Sequence, residues 1–214
     1  MKQYNFFHTL RKLLAGQSLA RIYMNRALAE YTLNGRVLDV GGGRNPDYFT
    51  YLKRGPDVTV ETIDGSVTGI DFEKDPLPYV NHSYDTVLLC NVLEHVYNHQ
   101  FLLKEIHRLL TSEGVLIGFV PFWTGYHPDP HDYFRYTQEA LVRMLSEAGF
   151  KDVHILSIGG GPIRANFNTI VLSLPRVMRP VLYCAYAIFD ALFVWIRPQS
   201  MERNPLGYQF SAHV

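Results

Sequence analysis

The chain has 214 residues, of which 47% are hydrophobic, and 20 basic side chains balance 20 acidic ones. This length and composition exclude a disordered or low-complexity chain and are sufficient for a full hydrophobic core. The two cysteines, Cys90 and Cys184, exclude a disulfide framework and a cysteine metal site. We expect both to be small core side chains in a reducing compartment.

The zero net charge hides an uneven distribution along the chain. Residues 1–30 carry five basic groups against one acid, residues 162–203 carry five against two, and residues 31–161 carry ten against seventeen. A bound phosphate backbone needs a basic track, so the acidic centre argues against nucleic acid as a partner. Residues 1–20 lack the uninterrupted apolar run of a cleavable signal, and we expect a cytoplasmic protein.

The predicted elements begin with a helical segment over residues 5–31, broken near Gly16, which we assign to an N-terminal helical cap of residues 1–34. A second unit, residues 35–214, opens with alternating strands and helices up to about residue 157. Helices are expected at 100–110 and 137–148, and strands at 114–121 and 150–156, among others. This alternation predicts an α/β fold with a three-layer, mostly parallel sheet that binds its ligand at the carboxyl ends of the strands.

The first strand of this unit runs into a glycine-rich turn, with the sequence Val37-Leu38-Asp39-Val40-Gly41-Gly42-Gly43-Arg44-Asn45. Glycine lets the backbone turn tightly and approach a ligand that a side chain would exclude. The segment 46–53 can begin a helix whose free amides point back at that ligand. The run therefore indicates an enzyme that holds an adenosyl group, although a plain tight turn has the same appearance.

Three further strand ends follow in order. Asp64 closes a strand at 58–63 and can accept both hydroxyls of a ribose. A short third strand is expected to end at Ile70-Asp71-Phe72. The stretch from Tyr84 to Val96 predicts a fourth strand that runs into a Leu93-Glu94-His95 turn.

Over residues 35–157 these motifs together resemble the class I S-adenosylmethionine-dependent methyltransferases, in particular the small-molecule branch. The resemblance implies a Rossmann-like, mostly parallel seven-stranded sheet, S-adenosylmethionine as the cofactor, and an N-terminal cap over the cofactor cleft. It implies cofactor-binding roles for seven residues. They are Asp39, Gly41 and Gly43 at the methionine end, Asp64 at the ribose, Asp71 and Phe72 at the adenine, and Asn91 along the cleft.

Two departures from the family pattern stand out. Asn45 replaces the usual third glycine, and the segment 64–70 is too short for the usual helix between the second and third strands. The short loop leaves Glu61 as the alternative ribose acid, although a solvated strand residue is the interpretation we favour for it.

The loop 122–136 is the predicted substrate side, since it holds two histidines, two aspartates and six aromatic residues. His127, His131 or Asp132 can accept the proton of an acceptor hydroxyl, and they are the candidate catalytic residues. A metal bound by the two histidines is the less favoured alternative, because no other ligand cluster supports it, and we predict no metal site. An ion pair between Asp132 and Arg135 that merely orders the loop is a further alternative.

Residues 162–203 form a hydrophobic helical insertion before a last strand at 204–210. Within it, residues 181–196 contain Asp190 as their only charge, bracketed by Arg179-Pro180 and Arg197-Pro198. Sixteen residues are short of a membrane-spanning helix, so residues 166–198 are expected either to lie in a membrane interface with Asp190 toward water, or to pack as a hairpin on the domain or in a homodimer.

These observations predict a methyltransferase that methylates an oxygen of a small-molecule, glycan or lipid-linked acceptor. We also expect the protein to attach peripherally to the inner face of a membrane. A non-catalytic binding or scaffold protein of the same fold is the alternative. A nucleotide-dependent oxidoreductase is a third hypothesis, which the missing third glycine disfavours.

Overall fold

The computed structural model describes residues 6–43 and 46–214. The helices are α1 Phe6–Leu14, α2 Leu19–Leu28, α3 Gly65–Thr68, α4 His99–Leu109, α5 Gln138–Glu147, α6 Pro162–Ile170, α7 Met178–Ile196 and α8 Ser200–Arg203. The strands are β1 Thr32–Leu33, β2 Arg36–Val40, β3 Lys53–Arg54, β4 Thr59–Ile63, β5 Tyr84–Cys90, β6 Leu110–Pro121, β7 Lys151–Ile158 and β8 Gly207–His213. Short 3-10 helices cover Asp47–Thr50, Leu93–His95 and Val171–Ser173.

The main sheet has six strands in the order β4-β2-β5-β6-β8-β7, and β1 pairs with β3 in a separate parallel ribbon. Strands β4, β2, β5 and β6 are parallel, whereas β8 runs antiparallel to both β6 and β7. The register places Val40 opposite Ile63, so β2 and β4 end side by side at one edge. The expected α/β architecture is confirmed.

The expected third strand at residues 70–72 is wrong, and the main sheet has six strands rather than seven among the described residues. The segment forms a turn in which the Asp71 amide donates to Asp75 Oδ2 at 2.9 Å and the Asp75 amide donates to the Asp71 carbonyl at 2.9 Å. The physical reason is length, because the few residues after Asp64 cannot cross the sheet and return as a parallel strand.

Alternating side chains of the strands build a core on each face of the sheet. Leu38, Val40 and Leu89 pack with α4 and α5, whereas Val37 and Leu88 pack with α1, α2, α6 and α7. A period of two in a strand sends successive side chains to opposite faces, so this pattern produces three layers.

Local signals set several helix ends as expected. Thr137 accepts from the Ala140 amide at the start of α5, and Ser18 accepts from the Arg21 amide at the start of α2. Gly149, with φ 106°, follows α5, and Gly16, with φ 101°, separates α1 from α2. Positive φ is open to glycine at little cost, which explains why the chain breaks at these positions.

Helices α6, α7 and α8 fill the insertion between β7 and β8. The expectation that Asp190 faces water is wrong: it is 1% exposed and accepts from the amides of Gly161, Ile163 and Arg164 at 2.9–3.1 Å. The first amides of α6 lack intrahelical acceptors, and the buried carboxylate satisfies them. Asp190 therefore docks α7 onto the domain.

The arginine expected to bracket the apolar helix on its N-terminal side is part of α7. Arg179 is buried, and its guanidinium donates to the carbonyls of Leu172 and Leu174, both at 3.0 Å. The helix is therefore longer than the predicted run, with 19 residues.

Candidate active site

The glycine turn after β2 has the backbone geometry that the sequence predicts. Gly41 and Gly43 have φ of 75° and 68°, and the Gly41 amide donates to the Ile63 carbonyl at 2.7 Å. A Cβ on Gly42 would lie 1.7 Å from Asp39 Oδ2. Only glycine fits this turn without displacing its neighbours. Arg44 and Asn45, including the departure from the usual third glycine, lie outside the described residues.

Asp39 lies buried beneath this turn. The Tyr48 hydroxyl, carried by the 3-10 helix Asp47–Thr50, donates to Asp39 Oδ1 at 2.5 Å. Asp39 Oδ2 is buried with no hydrogen-bond partner among the described residues. Burial raises the pKa of the Asp39 carboxyl from 3.8 to about 7, with Asp64 adding to the rise and the Tyr48 bond opposing it.

This raised pKa predicts a pH-dependent stability. The folded state holds a proton that the unfolded chain releases near pH 3.8, so stability in the absence of cofactor should fall from about pH 4 to about pH 7. Three pKa units correspond to roughly 4 kcal/mol at most.

Asp39→Asn keeps an acceptor for Tyr48 and should be more stable than wild type at pH 8. Urea unfolding of both proteins at pH 5 to 8 measures the difference, and the same pH slope in both would contradict the assignment.

A cavity of about 610 Å³ opens at the carboxyl ends of β2, β4 and β5. Six of the residues predicted from the sequence line it: Gly41, Asp64, Asp71, Phe72, Asn91 and His131. The other four lie outside its lining. Asp39 is beneath the turn, Gly43 is beside Asp64, and His127 and Asp132 are farther along the loop.

Asp64 follows β4 and caps the short helix α3. Its Oδ1 accepts from the Ser66 amide at 2.9 Å and from the Ser66 hydroxyl at 2.5 Å. Its Oδ2 lies 3.8 Å from the position of a Cβ on Gly43. The alternative acid, Glu61, instead pairs with Arg36 at 2.9 Å on the strand surface. Asp64 is thus the acid that faces the glycine turn.

Asp71 and Asn91 bound the cavity on two other sides. Lys74 Nζ lies 2.9 Å from Asp71 Oδ2 and holds the pKa of that carboxyl below its ordinary value. Asn91 has φ 55°, and its Nδ2 donates to Met24 Sδ at 3.3 Å. Helix α2 therefore contacts a residue that lines the cleft.

In the loop 122–136, Asp132 forms a bidentate ion pair with Arg135. Arg135 Nη1 donates to Oδ1 at 2.5 Å and Nη2 to Oδ2 at 2.8 Å, and this pairing holds the pKa of Asp132 well below its ordinary value. Asp132 Oδ2 also accepts from the His127 amide at 2.9 Å. With its side chain 2% exposed, Asp132 orders the loop, which is the alternative that the sequence left open.

Sequence reasoning missed Glu94. It follows β5 and is fully buried, and neither of its carboxylate oxygens has a hydrogen-bond partner among the described residues. His95 Nε2 and His127 Nε2 lie 3.5 and 3.8 Å from its Oε1. Glu94 raises the pKa of His127. The signal in the sequence was an acid next to a histidine directly after a buried strand.

A family model described as "Methyltransferase domain" matches residues 8–155, more than half of the chain. That span contains the glycine turn, Asp64, Asn91 and the loop 122–136. The chain belongs to the class I S-adenosylmethionine-dependent methyltransferases. None of the curated proteins matches it.

Solved structures share the fold of this methyltransferase. An S-adenosylmethionine-dependent methyltransferase from Archaeoglobus fulgidus has a TM-score of 0.54 at 16% identity, covering 99% of this chain and 100% of its own. A Thermotoga maritima methyltransferase, described as a possible histamine N-methyltransferase, has 0.54 at 14% identity, covering 98% and 95%. Phosphoethanolamine N-methyltransferase 2 of Haemonchus contortus has 0.54 at 12%, covering 99% of this chain and 58% of its own.

The residues of the methyltransferase cleft fit S-adenosylmethionine. The Gly41 backbone lines the cavity, and the neighbouring Gly42 occupies a position from which any Cβ is excluded, so the turn can approach the cofactor closely. Asp64 suits the ribose hydroxyls, and Phe72 and Val92 offer apolar surface for the adenine. These residues would hold the cofactor at the carboxyl ends of β2 and β4.

Proposed function

We propose that this methyltransferase methylates a hydroxyl oxygen of a small-molecule or glycan acceptor that enters beside the loop 122–136. The observation that supports this is that the His131 imidazole lines the same cavity as Gly41 and Asp64. Its ring packs on Tyr133 with centroids 5.2 Å apart, and its side-chain nitrogens make no hydrogen bond among the described residues. A hydroxyl needs such a proton acceptor, whereas a neutral amine is already a good nucleophile.

The residues of the cleft have separate roles in methyl transfer. S-adenosylmethionine supplies a methyl group that is activated by its positive sulfur. The Tyr133 ring provides a flat apolar surface for a sugar or an aromatic acceptor. His131 takes the hydroxyl proton as the oxygen attacks. Closing the cleft to water and aligning donor with acceptor supply the remaining acceleration.

His131→Ala should lower kcat by roughly 10²- to 10⁴-fold, the usual range for a lost general base. Cofactor affinity should stay near the wild-type value, because His131 belongs to the loop 122–136 and not to the strand ends that would hold the cofactor. The assay uses S-adenosylmethionine with a ¹³C-labelled methyl group and a cell extract as the acceptor source. His154→Ala, a change of an exposed histidine on β7, is the control.

The carbon chemical shift of the transferred methyl separates a methoxy product from an N-methyl product. A methoxy signal that depends on His131 supports the proposal. An N-methyl product, or unchanged turnover in His131→Ala, would contradict it.

We further propose that helices α7 and α1 attach the enzyme to an anionic membrane surface, where it meets a lipid-linked acceptor. Among the described residues α7 is the one helix long and apolar enough to cross a membrane, with mean hydropathy 1.4 and only 22% of that window buried. Val181, Ile188 and Trp195 are 69%, 68% and 79% exposed and follow one helical face. Because Tyr183 and Asp190 fix the opposite face to the domain, α7 fits a membrane interface rather than a spanning role.

Charges around this face support the same conclusion. Helix α1, which packs against α7, carries the exposed Phe7 together with Arg11 and Lys12. A second cavity, of about 700 Å³, lies between the C-terminal half of α7 and α8 and is lined by Arg197 and Arg203 beside apolar side chains. Basic side chains next to apolar surface favour anionic lipid head groups.

Liposome flotation tests this attachment. The protein should float with vesicles that contain an anionic lipid, and binding should weaken as salt is raised, because screening shortens electrostatic attraction to about 10 Å at 0.1 M. Ile188→Asp with Trp195→Asp should abolish flotation, whereas Leu156→Asp, a change of an exposed apolar residue on β7, should not. A stable dimer in light scattering that ignores vesicles would show that a second copy covers this face.

A further inference from the structure

We propose that Glu94, His95 and His127 bind a divalent transition-metal ion at the edge of the cofactor cleft. One ligand atom from each of the three lies within 4.8 Å of the other two. Neither the sequence motifs nor the family assignment predicted this site. The proposed ion does not depend on the acceptor, whereas its role in the reaction rests on the proposed methylation of a hydroxyl.

Glu94 is a buried carboxylate that needs a cation. Its side chain is fully buried, and neither carboxylate oxygen has a hydrogen-bond partner among the described residues. An isolated buried carboxylate is costly, so such a group is normally paired with a cation or bound to a metal. The only basic nitrogens close to Oε1 in the described chain are His95 Nε2 and His127 Nε2, at 3.5 and 3.8 Å.

The two imidazoles have the orientation of metal ligands. His95 Nδ1 lies 2.5 Å from the His131 carbonyl, and His127 Nδ1 lies 2.8 Å from the Gly125 carbonyl. A carbonyl only accepts, so each Nδ1 carries a proton and Nε2 is the nitrogen that lies toward Glu94. In the neutral ring that Nε2 has the free lone pair that a metal ion needs. Metal-binding histidines characteristically donate their other N–H to a carbonyl or carboxylate in this way.

Arg135 does not change this assignment. Its Nη2 lies 3.3 Å from His127 Nδ1, but Nη2 also donates to the Gly125 carbonyl at 3.2 Å and to Asp132 Oδ2 at 2.8 Å. These two acceptors use both N–H groups of Nη2. The Nδ1 proton of His127 therefore remains on the Gly125 carbonyl.

The distances from Glu94 Oε1 to the two imidazole nitrogens also fit a shared ion. A protonated histidine in contact with a carboxylate forms a short bond of about 2.8 Å. Two atoms bound to one ion at about 2.1 Å in tetrahedral directions lie about 3.4 Å apart. The observed separations of 3.5 and 3.8 Å are closer to the spacing around a shared ion than to that of a hydrogen bond.

The ligand set defines the class of ion. Two imidazoles and one carboxylate suit Zn²⁺, Mn²⁺, Fe²⁺ or Co²⁺, whereas Mg²⁺ and Ca²⁺ prefer oxygen ligands. Three protein ligands leave a position open. Because His95 also lines the cofactor cavity, that position borders the space where the acceptor would lie, and an ion there would lower the pKa of an acceptor hydroxyl.

The test is Co²⁺ titration of the full chain after treatment with a chelator, followed by visible absorption, with Zn²⁺ calorimetry for stoichiometry. Wild type should bind one ion. Glu94→Gln and His127→Ala should each weaken binding by about 100-fold or more, since each removes a direct ligand. His131→Ala and His154→Ala should bind Co²⁺ as wild type does, because neither residue belongs to the cluster of three ligands. Circular dichroism confirms that each variant is folded. If Glu94→Gln does not fold, His127→Ala alone tests the proposal.

Absence of Co²⁺ and Zn²⁺ binding by wild type would overturn the proposal. Wild-type affinity in both Glu94→Gln and His127→Ala would also overturn it, because the ion would then be held elsewhere. Both measurements use no acceptor and no methyl transfer. Failure of the metal site would therefore leave the result of the His131 experiment unaffected.

Discussion

Asp64→Ala is expected to weaken binding of S-adenosylmethionine by roughly two to four orders of magnitude. Each charge-assisted hydrogen bond from a ribose hydroxyl to the carboxylate contributes roughly 1.5–3 kcal/mol, and two bonds are lost. The placement of Asp64 supports this expectation, since it lies at the end of β4 and lines the cavity beside Ser66. Calorimetric titration of the purified variant measures the change.

Two variants separate the ribose contact from the structural role of Asp64. Asp64→Asn retains an acceptor for the Ser66 amide at the start of α3, so a loss of cofactor affinity in this variant reports on the carboxylate itself. Glu61→Ala removes a strand carboxylate that is paired with Arg36, and its cofactor affinity should equal that of wild type. Weak binding by Glu61→Ala together with normal binding by Asp64→Ala would show that Glu61 is the ribose acid.

Gly41→Val should abolish detectable binding of S-adenosylmethionine. Gly41 has φ 75°, which a β-branched residue adopts only under strain, and an added Cβ would lie 2.5 Å from Val92 Cγ2. The backbone would have to move at the point where the turn meets the cavity. Equilibrium dialysis with labelled cofactor measures the loss.

Gly69→Val is the matched control for this change. Gly69 has φ 77°, and a Cβ there would meet no atom within 4 Å. The variant should be destabilised by about 1 kcal/mol through backbone strain and should still bind the cofactor. If Gly41→Val bound normally, or if Gly69→Val lost binding equally, the argument from the glycine turn would be wrong.

Sequence patterns predicted the elements whose signals are local. The break at Gly16, the cap at Thr137 and the stop at Gly149 depend on a few neighbouring residues, and each appears in the structure where expected. The third strand could not be judged in this way, because an apolar pair such as Ile70 and Phe72 suits a strand and a packed turn equally well. The length of the connection decided between them.

The residues that sequence reasoning missed are defined by long-range packing. Tyr48 is recognisable as the partner of Asp39 only after its 3-10 helix folds under the glycine turn. Glu94 is similar, because its neighbours come from the loop 122–136: the Tyr133 amide donates to the Glu94 carbonyl at 2.8 Å, and His127 Nε2 lies 3.8 Å from its Oε1. Asp190 was expected to face water, yet its buried carboxylate accepts from the first amides of α6. Such partners are far apart in the chain, so their contacts produce no periodic pattern in the sequence.

Cofactor choice is the central claim, and calorimetric titration of the wild-type chain with S-adenosylmethionine, S-adenosylhomocysteine and NAD tests it most directly. Both adenosyl ligands should bind with one site per chain, and NAD should give no binding heat. Binding of NAD in preference to S-adenosylmethionine, or no heat with either adenosyl ligand, would contradict the assignment of the cleft between Gly41 and Asp64.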